Sequence, residues 1–274
     1  MATFTTSDGL SLYYDDRGEG LPLLCLSGLT RDSRDFEYVM PHLTGCRVIR
    51  LDYRGRGKSD FAEDALSYTI PREAQDVLEL LAHLGLARVA VLGTSRGGLV
   101  AMALAMGAPD ALIGVALNDI GPAIAPAGLE VIMGYLGRQP VWKTYDEAAA
   151  ARPGVMAGFA NVPERRWRAE VEKFYDQTDD GLRITYDPKL RDAVIAAGAQ
   201  PVPDLWPMFD ALEGKPLALI RGANSDLLSP ETLAEMQARR PDAHVAVVPD
   251  RGHVPFLDEP EALTALGAWL KDMA

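Results

Sequence analysis

From Leu21 to Leu117 short apolar runs alternate with stretches of helical periodicity. Leu21–Leu26 is one continuous apolar run. Phe36, Val39, Met40 and Leu43 follow at helical spacing, and Arg47–Leu51 is the next run. Pro71 opens a helix whose Val77, Leu80, Leu81 and Leu84 share one face, and Gly85 ends it. Val89–Leu92 and Leu112–Leu117 are two further runs, separated by the helical stretch Leu99–Met106. Strands buried on both faces read as unbroken apolar runs, and parallel neighbours need helical crossovers. The order therefore predicts a parallel α/β sheet covered on both faces. Thr3–Ser7 and Leu10–Asp15, with Asp8-Gly9 between them, predict a leading hairpin.

The alternation stops near Gly121 and resumes near Pro216. It then gives a strand at Pro216–Arg221, a helix at Pro230–Arg239, a strand at His244–Val248 and a last helix from Glu259. The interval shows no clear buried strand and holds three of the four tryptophans, Trp142, Trp167 and Trp206. Trp167, Val171, Phe174 and Tyr175 fall at helical spacing, so the interval reads as a helical insert. The expected division is a core of residues 1–120 and 207–274 with a helical cap at 121–206. An insert at that point sits over the strand ends, where open α/β sheets bind ligands.

One strand runs straight into Gly93-Thr94-Ser95-Arg96-Gly97-Gly98 and then into a helix. Alone, Gly-x-Ser-x-Gly is a tight strand-to-helix turn. In this context it is a nucleophile elbow, which lifts the serine hydroxyl clear of the sheet and aims free helix N–H groups at the same spot. A serine needs a general base, and histidine suits neutral pH. His42, His83 and His244 lie in helical or strand patterns. His253 lies in the loop between the last strand and the last helix, framed by Gly252 and Pro255. The imidazole in turn needs a carboxylate to fix its tautomer. Asp226, in the loop after the preceding strand, and Asp119, at the end of the strand after the elbow, both qualify. Asp226 is favoured on the Ser…Asp…His chain order that goes with this elbow. The oxyanion donors expected are the backbone N–H groups of Arg96 and of Leu29, in the loop Ser27-Gly28-Leu29-Thr30-Arg31.

Together with Asp52-Tyr53-Arg54-Gly55-Arg56-Gly57-Lys58-Ser59-Asp60 and Gly252-His253-Val254-Pro255-Phe256-Leu257-Asp258-Glu259-Pro260, the elbow resembles the α/β-hydrolase superfamily along nearly the whole chain. The style is that of the bacterial esterase, enol-lactonase and C–C hydrolase branch. The resemblance implies a mostly parallel eight-stranded sheet with helices on both faces and a helical cap. It also implies no cofactor and a triad of Ser95, Asp226 and His253. It gives the Asp52–Ser59 segment a structural role near the site. Most relatives carry His-Gly where this chain has Ser27-Gly28. Those relatives that hydrolyse C–C bonds of vinylogous diketones usually carry Trp where this chain has Val254.

The expected activity is hydrolysis of a small carboxylic ester or lactone through an acyl-enzyme. The alternatives are C–C hydrolysis and a ligand sensor on the same fold. The aromatics Tyr135, Trp142, Tyr145, Phe159, Trp167, Phe174 and Trp206 suggest a hydrophobic substrate, with Trp142, Tyr145, Phe159 and Trp206 as lining candidates. Arg31 could meet a substrate carboxylate, although an ion pair with Asp32 or Asp35 is the plainer reading. The net charge of −12 argues against nucleic acid and anionic membranes as partners. No cysteine–histidine group has metal-ligand spacing, and Cys25 and Cys46 read as reduced core residues. The N-terminus lacks a secretory pattern and no stretch is apolar for long enough to span a bilayer, so a cytoplasmic location is expected. Nothing in the sequence sets the oligomeric state.

Overall fold

The computed structural model describes residues 2–200 and 203–273. Its leading hairpin is β1 (Ala2–Thr5) and β2 (Ser11–Arg17). The apolar runs become β3 (Leu21–Leu26), β4 (Cys46–Leu51), β5 (Val89–Thr94) and β6 (Leu112–Asn118). A small separate hairpin follows, β7 (Tyr175–Thr178) and β8 (Gly181–Ile184), and then β9 (Leu217–Gly222) and β10 (His244–Val248). Among the described residues the main sheet has eight strands in the order β1-β2-β4-β3-β5-β6-β9-β10. The β1–β2 and β2–β4 pairs are antiparallel and every other pair in it is parallel.

The parallel strands feed two cores with alternate side chains, which is why they read as unbroken apolar runs. Leu24 and Leu26 of β3, with Val89 and Val91 of β5, pack against α1 (Ile70–His83) and α2 (Arg96–Gly107). Leu23, Cys25, Ala90 and Leu92 pack on the other face. Between β6 and β9 lie α3 (Pro126–Tyr135), α4 (Tyr145–Val155), α5 (Glu164–Phe174), α6 (Leu190–Gly198) and α7 (Trp206–Asp210). After β9 comes α8 (Pro230–Arg239), whose Leu233 and Met236 join the first core. After β10 comes α9 (Pro260–Lys271), whose Trp269 anchors the second. Cys25 and Cys46 are free and buried. No helix among the described residues is long and apolar enough to cross a membrane.

Two segments differ from expectation. The helical spacing at Phe36, Val39, Met40 and Leu43 forms two single 3-10 turns, Ser33–Phe36 and Met40–His42. Pro41 has no N–H to continue an α-helix, so the segment breaks while Phe36, Val39 and Leu43 stay buried. The insert is not wholly helical either. Helix α5 ends at Phe174, and Tyr175 begins the β7–β8 hairpin instead of extending the helical face. Gly181 has φ +127°, and Leu182 and Ile184 bury one face at a spacing of two.

Candidate active site

The strand ends of β5, β6, β9 and β10 lie side by side and carry the polar residues of the site. Ser95 follows β5 with φ +51° and ψ −115°, a strained conformation for a residue with a Cβ. Its N–H donates to the Asn118 carbonyl at 2.9 Å, and its own carbonyl accepts from Gly98 N–H at 2.9 Å. The turn closes only because its neighbours are glycines. A Cβ at Gly93 would lie 2.6 Å from the Gly97 backbone, and one at Gly97 would run into the Leu26 carbonyl oxygen.

His253 stands between Ser95 and a carboxylate. Its Nε2 is 2.9 Å from Ser95 Oγ, and its Nδ1 is 2.7 Å from Asp119 Oδ2. Asp119 has φ +55° and no exposed surface. Gly222 N–H donates to its Oδ1 at 2.8 Å, and the Ser225 hydroxyl donates to its Oδ2 at 2.6 Å. An ionised carboxylate only accepts, so Asp119 assigns the imidazole proton to Nδ1 and leaves Nε2 free to accept from Ser95.

This corrects the expectation for the acid. Asp226 is exposed and borders the cavity, and the His253 ring makes its hydrogen bonds to Asp119 and Ser95 instead. The loop after β9 does reach the site, but through Ser225, which grips Asp119. The chain order that favoured Asp226 does not discriminate, because Asp119 also lies between Ser95 and His253. The contact decides: His253 Nδ1 meets Asp119, whose oxygens are held by Gly222 N–H and the Ser225 hydroxyl.

The Leu29 and Arg96 N–H groups have no acceptor among the described residues. Gly28 packs against Ser95, since a Cβ there would sit 3.8 Å from the serine Cβ. Ser27 closes the loop by donating to the Arg31 carbonyl at 3.0 Å, and Arg31 N–H bonds the Gly28 carbonyl at 3.2 Å. A further support was not visible in the sequence. Arg56 Nε donates to the Leu29 carbonyl at 2.9 Å, and Arg96 Nε donates to Glu73 at 2.6 Å. Arg56 Nη1 lies 2.8 Å from the other Glu73 oxygen. Burial pushes the Glu73 carboxyl up, but Arg56 and then Arg96 outweigh it and hold the group below its ordinary range. The Asp52–Ser59 segment thus belongs to the support of the site through Arg56.

A cavity of about 590 Å3 opens at Ser95 and His253. Trp142, Phe159 and Arg31 line it, as expected, together with Tyr135, Met156 and Phe174. Tyr145 and Trp206 do not line it, which corrects both assignments. The Tyr145 hydroxyl is turned to the Tyr175 carbonyl at 3.0 Å. Trp206 packs edge-on against Phe209 at 5.9 Å and under the Arg239 guanidinium at 4.2 Å, on the core that α2 shares. Arg31 is committed within the protein. Its Nε donates to both Asp35 oxygens at 2.7 and 2.8 Å, and its Nη2 lies 3.1 Å from Glu170 of α5. Burial works against the Arg31 charge, but Asp35 and Glu170 more than offset it. Asp32 pairs with Arg34 instead, at 2.7 Å.

Residues 23–266 match the model of the Alpha/beta hydrolase family. A 3-hydroxybutyrate-oligomer hydrolase of Cupriavidus necator is 40% identical over 249 residues, covering 87% of this chain and 84% of that protein. A 2-(acetamidomethylene)succinate hydrolase of Mesorhizobium japonicum is 28% identical, over 89% of this chain and 85% of that one. The crystal structure of an alpha/beta hydrolase from Novosphingobium aromaticivorans superposes with a TM-score of 0.91 at 38% identity, covering 98% of this chain and 97% of that chain.

Proposed function

This chain belongs to the alpha/beta hydrolase family and has hydrolase-type activity, and from that premise we propose that it cleaves a small carboxylic ester through an acyl-enzyme on Ser95. The observation that carries this reading is the unbroken chain from Ser95 Oγ through His253 to the buried Asp119. His253 Nε2 takes the serine proton as Oγ bonds the carbonyl carbon. The Leu29 and Arg96 N–H groups receive the charge that develops on the carbonyl oxygen. The C–O bond then breaks, and the alcohol leaves with the proton held on Nε2. A water molecule, deprotonated by the same nitrogen, attacks the acyl carbon. The acid departs and the proton returns to Ser95.

The similarity to a 3-hydroxybutyrate-oligomer hydrolase favours an ester between short hydroxy acids. The cavity supports this in size and character, being within the range of small-molecule sites and walled by Trp142, Met156, Phe159 and Phe174. Lactone opening is the same chemistry with the leaving alcohol tethered. The test is a panel of 3-hydroxybutyrate dimer, p-nitrophenyl butyrate and a lactone. Wild type is expected to turn over at least one ester, and Ser95→Ala to lose about 10³-fold or more in kcat. Wild-type rates from Ser95→Ala would refute the assignment.

A further inference from the structure

Arg152 lies in the last turn of α4, is 8% exposed and borders the same cavity. Its guanidinium carbon sits 4.0 Å from the centre of the Phe174 ring, and that of Arg31 lies 3.5 Å from the same ring. The two arginines differ in their partners. Arg31 has Asp35 and Glu170 to balance its charge, although its Nη1 too is sealed without an acceptor. Glu170 also faces Lys173 at 3.6 Å, and Lys173 has Glu37 at 3.8 Å. Arg152 has no carboxylate within ion-pair distance among the described residues, and its Nε is sealed from solvent without an acceptor. Burial depresses its basicity, yet a guanidinium stays charged in a protein. An unpaired buried charge is costly to hold. This one sits on the wall of a reaction chamber, in a chain whose net charge is −12.

We propose that Arg152 is the counter-charge for a carboxylate on the substrate, so that the cavity selects small esters bearing one free carboxylate. This rests on the ester reading above and narrows it to acids such as hydroxy-acid oligomers. One free guanidinium matches one unit of negative charge, and its planar fork fits a carboxylate. A phosphate dianion would remain half compensated beside Asp35 and Glu170. The ring of Phe174 holds the guanidinium by a cation–π contact without consuming its N–H donors. Recognition of a carboxylate therefore falls to the arginine from the cap, not to Arg31 from the loop after β3.

The test separates binding from turnover. Binding of 3-hydroxybutyrate and of its uncharged analogue 3-hydroxybutyramide is measured by calorimetry on wild type, Arg152→Gln and Arg152→Lys at low salt. Wild type is expected to prefer the anion by about tenfold. Arg152→Gln should bring the ratio to about one, and Arg152→Lys should keep part of it. Thermal melts establish that each variant is folded, and Arg152→Gln is expected to melt no lower than wild type, because an unpaired buried charge has gone. An unchanged ratio in Arg152→Gln, or no preference in wild type, overturns the proposal. Ser95→Ala should keep the full anion preference. Turnover surviving in Ser95→Ala would defeat the ester reading without touching this ratio.

Discussion

Glu73 is fully buried, and its two oxygens face the guanidiniums of Arg56 and Arg96. Arg56 holds the Leu29 carbonyl, and Arg96 carries the second of the two N–H groups proposed to receive the oxyanion. One carboxylate on α1 therefore links the residues of both proposed donors, and on the proposed mechanism it is a positioning residue. Glu73→Gln leaves two buried cations without a counter-charge, which costs about 3–5 kcal/mol. In the folded fraction kcat should fall by about tenfold with KM within about twofold, because the donors matter most when the oxyanion forms. A folded Glu73→Gln protein with wild-type kcat per active site would show that the donors hold themselves. None of this was legible in the sequence. Ser95 and His253 were legible, because a strand-to-helix turn and a strand-end loop announce themselves by local pattern. The acid was not, because Asp119 and Asp226 both lie in strand-end positions and both satisfy the chain order. Only the path of the loop after β9 separates them, since it turns Ser225 and not Asp226 toward the imidazole's partner, and that is set by tertiary packing. Arg152 was equally hidden, since being unpaired is a property of the surroundings.

At the scale of elements, the parallel strands were legible because two-sided burial leaves an unmistakable apolar run. Helix α1 was legible from its one apolar face and its proline and glycine ends. The 3-10 turns are not legible from spacing alone, which does not register that Pro41 interrupts the N–H ladder. The β7–β8 hairpin leaves little trace because it is short and mostly polar, with Leu182 and Ile184 its buried apolar side chains. The aromatics of the insert divide by the face of the element that carries them. Trp142 and Phe159 border the cavity, whereas Tyr145 turns its hydroxyl to the Tyr175 carbonyl at 3.0 Å. Helical spacing gives a face but not what the face meets, so composition could say that the cap is aromatic and not which rings meet substrate.

At the scale of the whole molecule, the turn after β4 ties the sheet to its loops through buried charge, and this leaves a trace in the pH dependence of stability. Asp52 accepts from Ser33 N–H at 2.7 Å and from Lys58 N–H at 2.9 Å. Burial first, and then the neighbouring Asp32 charge, push its carboxyl up to about 6. The folded state therefore binds this proton more tightly than the unfolded chain does. Its contribution to stability is gained as pH falls through about 6 and is lost as pH rises. Relative to Asp52→Asn, wild type should gain about 1 kcal/mol between pH 7 and pH 5 in urea denaturation. A flat or reversed difference would place the proton elsewhere. Four adjacent strand ends bring together one hydrogen-bonded chain, in which His253 faces Ser95 through Nε2 and is held by Asp119 at Nδ1. Turnover of 3-hydroxybutyrate dimer by Asp119→Asn and by Asp226→Asn, measured side by side, tests it most directly. Asp119→Asn is expected to lose about 10³–10⁴-fold in kcat, and Asp226→Asn to change within about twofold. The reverse pattern would contradict it.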